Sequence, residues 1–226
     1  MIERHVCAWG EETDAHLTER QRLVFETVNT VVRRYVNRLP VNVERICALC
    51  GVELLRLSDY EAKGFTAQEM ETVWGNPDGA ASFGAGHPVI GYNDRAPARR
   101  LRFTLAEELM HVLLGHVHDP RFNAFSQDYD PALYALYEAE AKRAAGMLLF
   151  PPALYYAHRR SASLAQLARI CRVSKACAWT CARDYEANEA LLREVFTAKR
   201  LDYARPRSPR AAAAPRDVWA EPRELL

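Results

Sequence analysis

The chain has 226 residues, of which 49% are hydrophobic and 26% are charged, and its formal net charge is +1 at pH 7. This length is sufficient for a domain with its own core. The near-neutral charge gives no electrostatic reason to expect nucleic acid or an anionic membrane as a partner of the whole chain. No stretch approaches the roughly 20 apolar residues of a membrane span, and the N-terminal residues lack a signal-peptide core. We therefore expect a cytoplasmic protein, in which the six cysteines are reduced.

The first half of the chain is predicted to alternate helices and short strands. Apolar residues at a spacing of three and four predict helices, and short β-rich runs between glycine-containing turns predict strands. In chain order the prediction is helix 17–38, helix 42–50, strand 52–57, a helix or an irregular segment over 66–74, strand 80–83 and strand 88–92.

The second half is predicted to be helical, with helices over residues 99–114, 131–149, 163–169 and 174–196. This order of elements predicts an α+β fold with a small, mostly antiparallel sheet packed on helices. We divide the chain into an N-terminal helical segment (1–38), a core (39–160), a helical subdomain similar to a helix-turn-helix (161–203) and a tail (204–226). The tail is rich in Pro, Ala and Arg and is predicted to be disordered.

The helix over residues 99–114 contains a pattern typical of metal chemistry. Glu107 and His111 are four residues apart, so they project from one helix face, and Glu108 lies beside that face. A metalloprotease helix reads His-Glu-x-x-His, with two metal ligands and a general base after the first ligand. Here the pattern is Glu-Glu-x-x-His, which predicts Glu107 and His111 as ligands and Glu108 as the catalytic base.

A catalytic zinc needs a third protein ligand and keeps one position for water. The metal lowers the pKa of that water, and a carboxylate passes its proton to the leaving amine. We predict Glu140 as the third ligand, because Ala141, Ala144 and Ala145 keep its helix slim enough to approach the first one. Further residues are predicted to support the site rather than to bind the metal, namely His116, Glu138, His87 and Tyr92.

Two alternatives stay open at this point. Glu107 and Glu108 would lie on a solvated face if the helix were exposed, but the helix is apolar nearly all round, which predicts burial. His111, His116 and His118 form a possible alternative ligand set. His116 is more typical of a residue that orients a neighbour or caps the helix, where a cation is favoured.

Two blocks of the sequence resemble the ImmA/IrrE metallo-endopeptidases. Residues 102–116 are similar to the family's Arg-Phe-Thr-Leu-Ala-His-Glu-Leu-Gly-His-Leu-Leu-Gly-His, and Glu140-Ala141 with the following Leu-Leu-Phe-Pro is similar to its second block. The resemblance covers about residues 40–190. It implies a zincin-like metalloprotease core of the gluzincin type, Zn²⁺ held by Glu107, His111 and Glu140, and Glu108 as base.

The chain departs from the family pattern at two positions. Glu107 replaces the first His, and Met110 replaces the Gly before the second His. Two carboxylates with one imidazole lower the Lewis acidity of a divalent ion and make Mn²⁺ an alternative to Zn²⁺.

The predicted function is a metal-dependent endopeptidase that cleaves a protein. The resemblance implies a helix-turn-helix repressor as the target, so the enzyme is an antirepressor in transcription regulation. One alternative is a catalytically inactive antirepressor with the same fold, which Glu107 motivates. The other is a DNA-binding regulator that uses the basic residues near 163–185. The near-neutral chain favours a helical region that receives the protein partner over one that binds DNA.

Overall fold

The computed structural model describes residues 14–84, 86–123, 125–196 and 202–203, with side chains from residue 19 to residue 196 apart from the two gaps. The predicted disordered tail at 204–226 lies outside these residues. In chain order the elements are α1 (Asp14–Tyr35), β1 (Arg38–Leu39), α2 (Val43–Leu49), β2 (Glu53–Arg56), α3 (Leu57–Glu61), α4 (Ala67–Trp74), β3 (Gly79–Gly84), β4 (His87–Tyr92), α5 (Ala98–Leu113), α6 (Pro131–Leu149), α7 (Pro152–His158), α8 (Leu164–Cys171), α9 (Lys175–Ala187), α10 (Glu189–Val195) and β5 (Asp202–Tyr203).

The larger sheet has the strand order β2-β4-β3 and confirms the α+β class. It is mixed rather than mostly antiparallel, because β2 pairs with β4 in parallel while β3 pairs with β4 antiparallel. The parallel pair is possible because α3, α4 and β3 form a long crossover between its strands. A glycine is needed in β4, since a Cβ at Gly91 would lie 2.7 Å from Nε1 of Trp74.

The helices α5 and α6 pack along each other at the centre of the molecule. Ala106 of α5 and the alanines Ala141, Ala144 and Ala145 of α6 are fully buried in one continuous core. This agrees with the close approach that the small residues predict. The sheet covers α5 through β3 and β4, and α1 packs against α6. The two central helices are thereby enclosed by a sheet on one side and by α1 on the other.

The C-terminal helix α9 packs on the end of α6. A Cβ at Gly146 would lie 2.9 Å from Sγ of Cys181 in α9, and the Tyr185 hydroxyl donates to the Phe150 carbonyl. The predicted single helix 174–196 is interrupted at Asn188, where α9 ends and α10 begins. The helices α3 and α7 were not predicted. No helix within the described ranges has the length and apolar character needed to cross a bilayer.

Candidate metal centre

Three side chains from α5 and α6 converge in the structure. Glu107 and His111 on α5 and Glu138 on α6 place one ligand atom each within 4.8 Å of the others. The first two are one helical turn apart on the same face, as the sequence predicts. Two carboxylates and one imidazole form a mixed oxygen and nitrogen set of the kind that holds catalytic zinc or manganese.

His111 supplies the clearest sign of a missing partner. Its side chain is 1% exposed, and its Nε2 has no hydrogen-bond partner. Oε1 of Glu138 lies at an ion-pair distance of 3.3 Å from this nitrogen, but the contact lacks hydrogen-bond geometry. A buried polar atom without a partner requires an explanation such as an ion. A divalent cation would accept the nitrogen lone pair and neutralise the two carboxylates, so the residues present fit a metal.

Lys142 is the counter-ion of both carboxylates in the structure. Its Nζ lies 2.6 Å from Oε2 of Glu138 and 3.6 Å from Oε1 of Glu107. Burial raises the pKa of Glu107 to about 7, with Lys142 opposing this shift. Burial also acts to raise the pKa of Glu138, but His111 and Lys142 outweigh it and lower that pKa to about 2. The Lys142 side chain is 54% exposed, so it is free to rotate towards solvent.

Glu108, the predicted base, lies between α5 and the sheet. Its Oε2 accepts a 2.7 Å hydrogen bond from the backbone N–H of Ala81 in β3. Burial, and next the charge of Glu107, raise the pKa of Glu108 well above its ordinary value. A carboxyl with a raised pKa beside a group of ligands is typical of a general acid and base.

Glu140, the predicted third ligand, is occupied elsewhere. Its two oxygens accept hydrogen bonds from Nε and Nη2 of Arg20, each at 2.7 Å, and Oε2 lies 3.2 Å from Nε2 of His116. The carboxylate that joins Glu107 and His111 is Glu138, which was predicted only as a supporting residue. Residues two apart on a helix lie about 200° apart around its axis, so only one of the two can face α5.

His116 lies behind His111 and is buried. The two Nδ1 atoms are 3.1 Å apart, and the His116 ring stacks on Tyr137 with a centroid distance of 4.0 Å. Burial lowers the pKa of His116, although Glu140 opposes the shift. His118 instead packs against Phe83 in β3 with tilted rings, so it is separate from the contact between His111 and His116.

The other two predicted supporting residues lie on the sheet. Nε2 of His87 is 2.6 Å from Oε2 of Glu53, and both side chains are more than 40% exposed. The Tyr92 hydroxyl accepts a 3.3 Å hydrogen bond from Nε of Arg56. Neither residue belongs to the group of Glu107, His111 and Glu138 that converges in the structure.

Two charged residues of the site were not singled out in the sequence. Lys142 is four residues after Glu138, and this helical spacing would have revealed the pair once Glu138 was considered. Arg20 is 120 residues away from Glu140 along the chain, and no local pattern indicates their contact.

A Glu-Glu-x-x-His helix beside a small sheet, with a third carboxylate from the next long helix, has the organisation of a metallopeptidase centre. The sequence profile of the peptidase M78 family, described as the IrrE N-terminal-like domain, matches residues 60–179. The match spans 120 of the 226 residues and includes all three converging side chains and Glu108. The chain therefore belongs to this family, which confirms the ImmA/IrrE assignment. A search of curated proteins gave no significant match.

Proposed function

We propose that the protein is a metal-dependent endopeptidase in which Glu107, His111 and Glu138 hold Zn²⁺ or Mn²⁺ and Glu108 is the general base. The observation that carries this proposal is the buried Nε2 of His111, which has no hydrogen-bond partner and lies beside two carboxylates. Family membership supports a metallopeptidase. The choice of Glu138 over the predicted Glu140 follows from the contacts that already occupy both Glu140 oxygens.

A divalent cation held by these ligands supplies Lewis acidity, which polarises the scissile carbonyl and lowers the pKa of a water molecule. Glu108 would take a proton from the attacking water as the new C–O bond forms and would deliver it to the amine nitrogen as the C–N bond breaks. The Ala81 N–H holds one oxygen of Glu108 at 2.7 Å and so fixes the orientation of the carboxylate.

Metal content after purification without chelator tests the ligand set. By elemental mass spectrometry we expect about one zinc or manganese per wild-type chain, as for a single catalytic site, and none in His111→Ala or Glu138→Gln. Glu108→Gln should keep the metal and lose peptide cleavage. Full metal content in Glu138→Gln would exclude Glu138 as a ligand and return Glu140 to that role.

The proposed substrate is a helix-turn-helix repressor, which makes the protein an antirepressor in transcription regulation. The resemblance to ImmA/IrrE peptidases supports this target. The test is incubation of the metal-loaded protein with the repressor encoded beside it, followed by intact-mass measurement. Two new fragments, absent with Glu108→Gln, would support cleavage.

The second candidate function is a non-catalytic antirepressor. Lys142 favours it, because its ammonium already neutralises the two carboxylates that a metal would need. In this case the repressor dissociates from DNA in the presence of the protein, and the repressor itself remains uncut. Salt-dependent binding of the protein alone to duplex DNA would instead indicate a DNA-binding regulator that uses exposed basic residues of α8 and α9.

A further inference from the structure

We propose that a cavity between α7, α8 and α9 is a docking site for an acidic segment of a partner protein, which places one bulky apolar side chain in the cavity. The cavity has a volume of about 280 Å³ and is lined by residues of all three helices. This inference goes beyond the proposed peptidase activity, because it concerns how a protein partner is held and not how a peptide bond is cleaved.

The floor of the cavity is apolar. Tyr155 of α7, Leu167 of α8 and Ala182 of α9 line it, and all three residues are buried. The volume is just below the roughly 300–1,000 Å³ of sites that enclose a small molecule. It therefore suits one large apolar side chain, whose removal from water would contribute most of the affinity.

An aromatic ring and a cation stand at the mouth of the cavity. Trp179 is 55% exposed, and Cζ of Arg183 lies 4.7 Å from the centroid of its ring. The two residues are four positions apart on α9, so they share one face of the helix. Among the residues that the structure describes, no carboxylate forms an ion pair with Arg183. Tryptophan and arginine are the residues in which the binding energy of protein interfaces is concentrated.

The charge around the cavity favours an acidic partner. Residues 152–187 contain six arginine and lysine side chains and two carboxylates, which leaves a formal charge of +4, whereas the whole chain carries +1. Both carboxylates have partners, since Asp184 accepts a hydrogen bond from Arg143 of α6 and Glu186 accepts one from Tyr155. The carboxylates of an acidic partner would thus be attracted to this surface, and a basic partner would be repelled.

The apolar floor favours a protein partner over nucleic acid. A DNA duplex presents phosphates and sugars to basic side chains, and it has no bulky apolar group at its backbone that could fill a cavity. An acidic protein segment satisfies both features of the site. Its carboxylates pair with Arg183, and its apolar side chain enters the cavity beside Trp179.

The cavity is separate from the metal centre. None of its lining residues belongs to the group of Glu107, His111 and Glu138. The helix α9 contacts α6 at Gly146, which is eight residues and about 12 Å along the helix from Glu138. A partner segment docked in the cavity therefore does not occupy the ligand group.

The direct test measures the binding of three fluorescein-labelled peptides to the full-length protein by fluorescence anisotropy. The first peptide is Gly-Ser-Asp-Glu-Leu-Glu-Asp-Ser-Gly. The second has Ala in place of the Leu, and the third has Lys in place of every acidic residue. We expect the first peptide to bind about tenfold more tightly than the second, as for the burial of a leucine side chain, and the third not to bind.

Two variants locate the peptide on the protein. Trp179→Ala and Arg183→Gln should each weaken binding of the first peptide about tenfold or more, because each removes an interface residue of the type that dominates binding energy. Arg45→Gln is the matched control, since Arg45 is an exposed arginine of α2, and it should leave the Kd unchanged. Both substituted side chains of the cavity are exposed, so the variants should fold, which urea unfolding checks.

No measurable binding of the first peptide would overturn the proposal, and so would equal affinity of the wild type and Trp179→Ala. If the peptide does not bind but duplex DNA binds in a salt-dependent manner and is lost in Arg183→Gln, the surface is a nucleic-acid site instead. None of these outcomes depends on a metal. A chain that binds the first peptide as expected but holds neither Zn²⁺ nor Mn²⁺ keeps the docking site and contradicts the proposed function alone.

Discussion

Two faces of α6 use a glutamate in opposite ways. Glu140 is buried, and its oxygens are filled by Arg20 and His116. Glu138, two residues earlier, meets His111 without a hydrogen bond and has a lysine with a half-exposed side chain as its counter-ion. A carboxylate whose acceptor sites are occupied by buried donors is not available to a cation. A carboxylate paired only with a lysine that can rotate into solvent is available to a cation. Glu140 is therefore a structural charge, and Glu138 is the functional one.

The largest predicted difference between the surroundings of Glu140 and Glu138 is in the free energy of unfolding. Arg20→Met leaves Glu140 buried without its charge partner, and removal of one partner from a buried pair costs about 3–5 kcal/mol. Lys142→Met breaks a pair that is more exposed and should cost no more than about 1 kcal/mol. Urea unfolding of the metal-free protein measures both values.

Equal destabilisation by these two substitutions would mean that the ion pair of Glu140 contributes no more to stability than the ion pair of Glu138. The double variant Arg20→Met/Glu140→Leu serves as the control. It should recover much of the lost stability, because no unpaired charge remains in the core.

The second expected effect is a pH dependence of opposite sign for Glu107 of α5 and Glu140 of α6. Burial raises the pKa of Glu107 from 4.5 to about 7. The metal-free native state therefore binds more protons than the unfolded state between these values, and stability falls as the pH rises through that window. For Glu140, burial acts to raise the pKa, but His116 and Arg20 outweigh it and lower the pKa below 4.5. Its contribution is present above pH 4.5 and is lost as the pH falls.

Metal-free protein should thus be most stable near pH 4.5, below which the contribution of Glu140 is lost and above which that of Glu107 is lost. Between pH 4.5 and 7 the loss due to Glu107 is about 3 kcal/mol, from 1.36 kcal/mol per pKa unit. Thermal unfolding over this range should show that stability falls less steeply with pH in Glu107→Gln than in the wild type. Some fall remains, because the raised pKa of Glu108 acts in the same direction. An unchanged slope in Glu107→Gln would show that this carboxyl is not perturbed.

The sequence predicts one half of the site better than the other for a physical reason. Glu107, Glu108 and His111 lie within one helix, where a spacing of four defines a face without tertiary information. The choice between Glu138 and Glu140 depends on the rotation of α6 against α5 and on Arg20, which is distant along the chain. A resemblance to a family motif does not resolve that choice, because both glutamates lie in the same short segment.

The same distinction holds for the fold. The strands β3 and β4 and the helices α5 and α6 follow from local periodicity and from the prolines at the ends of α6. The parallel pairing of β2 with β4 is a long-range contact, so the sheet is mixed rather than mostly antiparallel, while the β3–β4 pair is antiparallel. The helix-turn-helix likeness of residues 161–203 stays a prediction.

The smallest expected effect concerns competition for the functional carboxylates. Lys142 must leave Glu138 and Glu107 before a cation binds both, so Lys142→Gln should increase the affinity for Mn²⁺ or Zn²⁺. Exposed ion pairs contribute about 0.2–1 kcal/mol each, so the loss of two contacts corresponds to an increase of about two- to thirtyfold in affinity. Titration calorimetry measures this, with Arg95→Gln as the control, because Arg95 forms an exposed ion pair with Glu61. Weaker binding in Lys142→Gln would show that the ammonium supports the loaded site, whereas tighter binding would identify Lys142 as an intramolecular competitor of the metal.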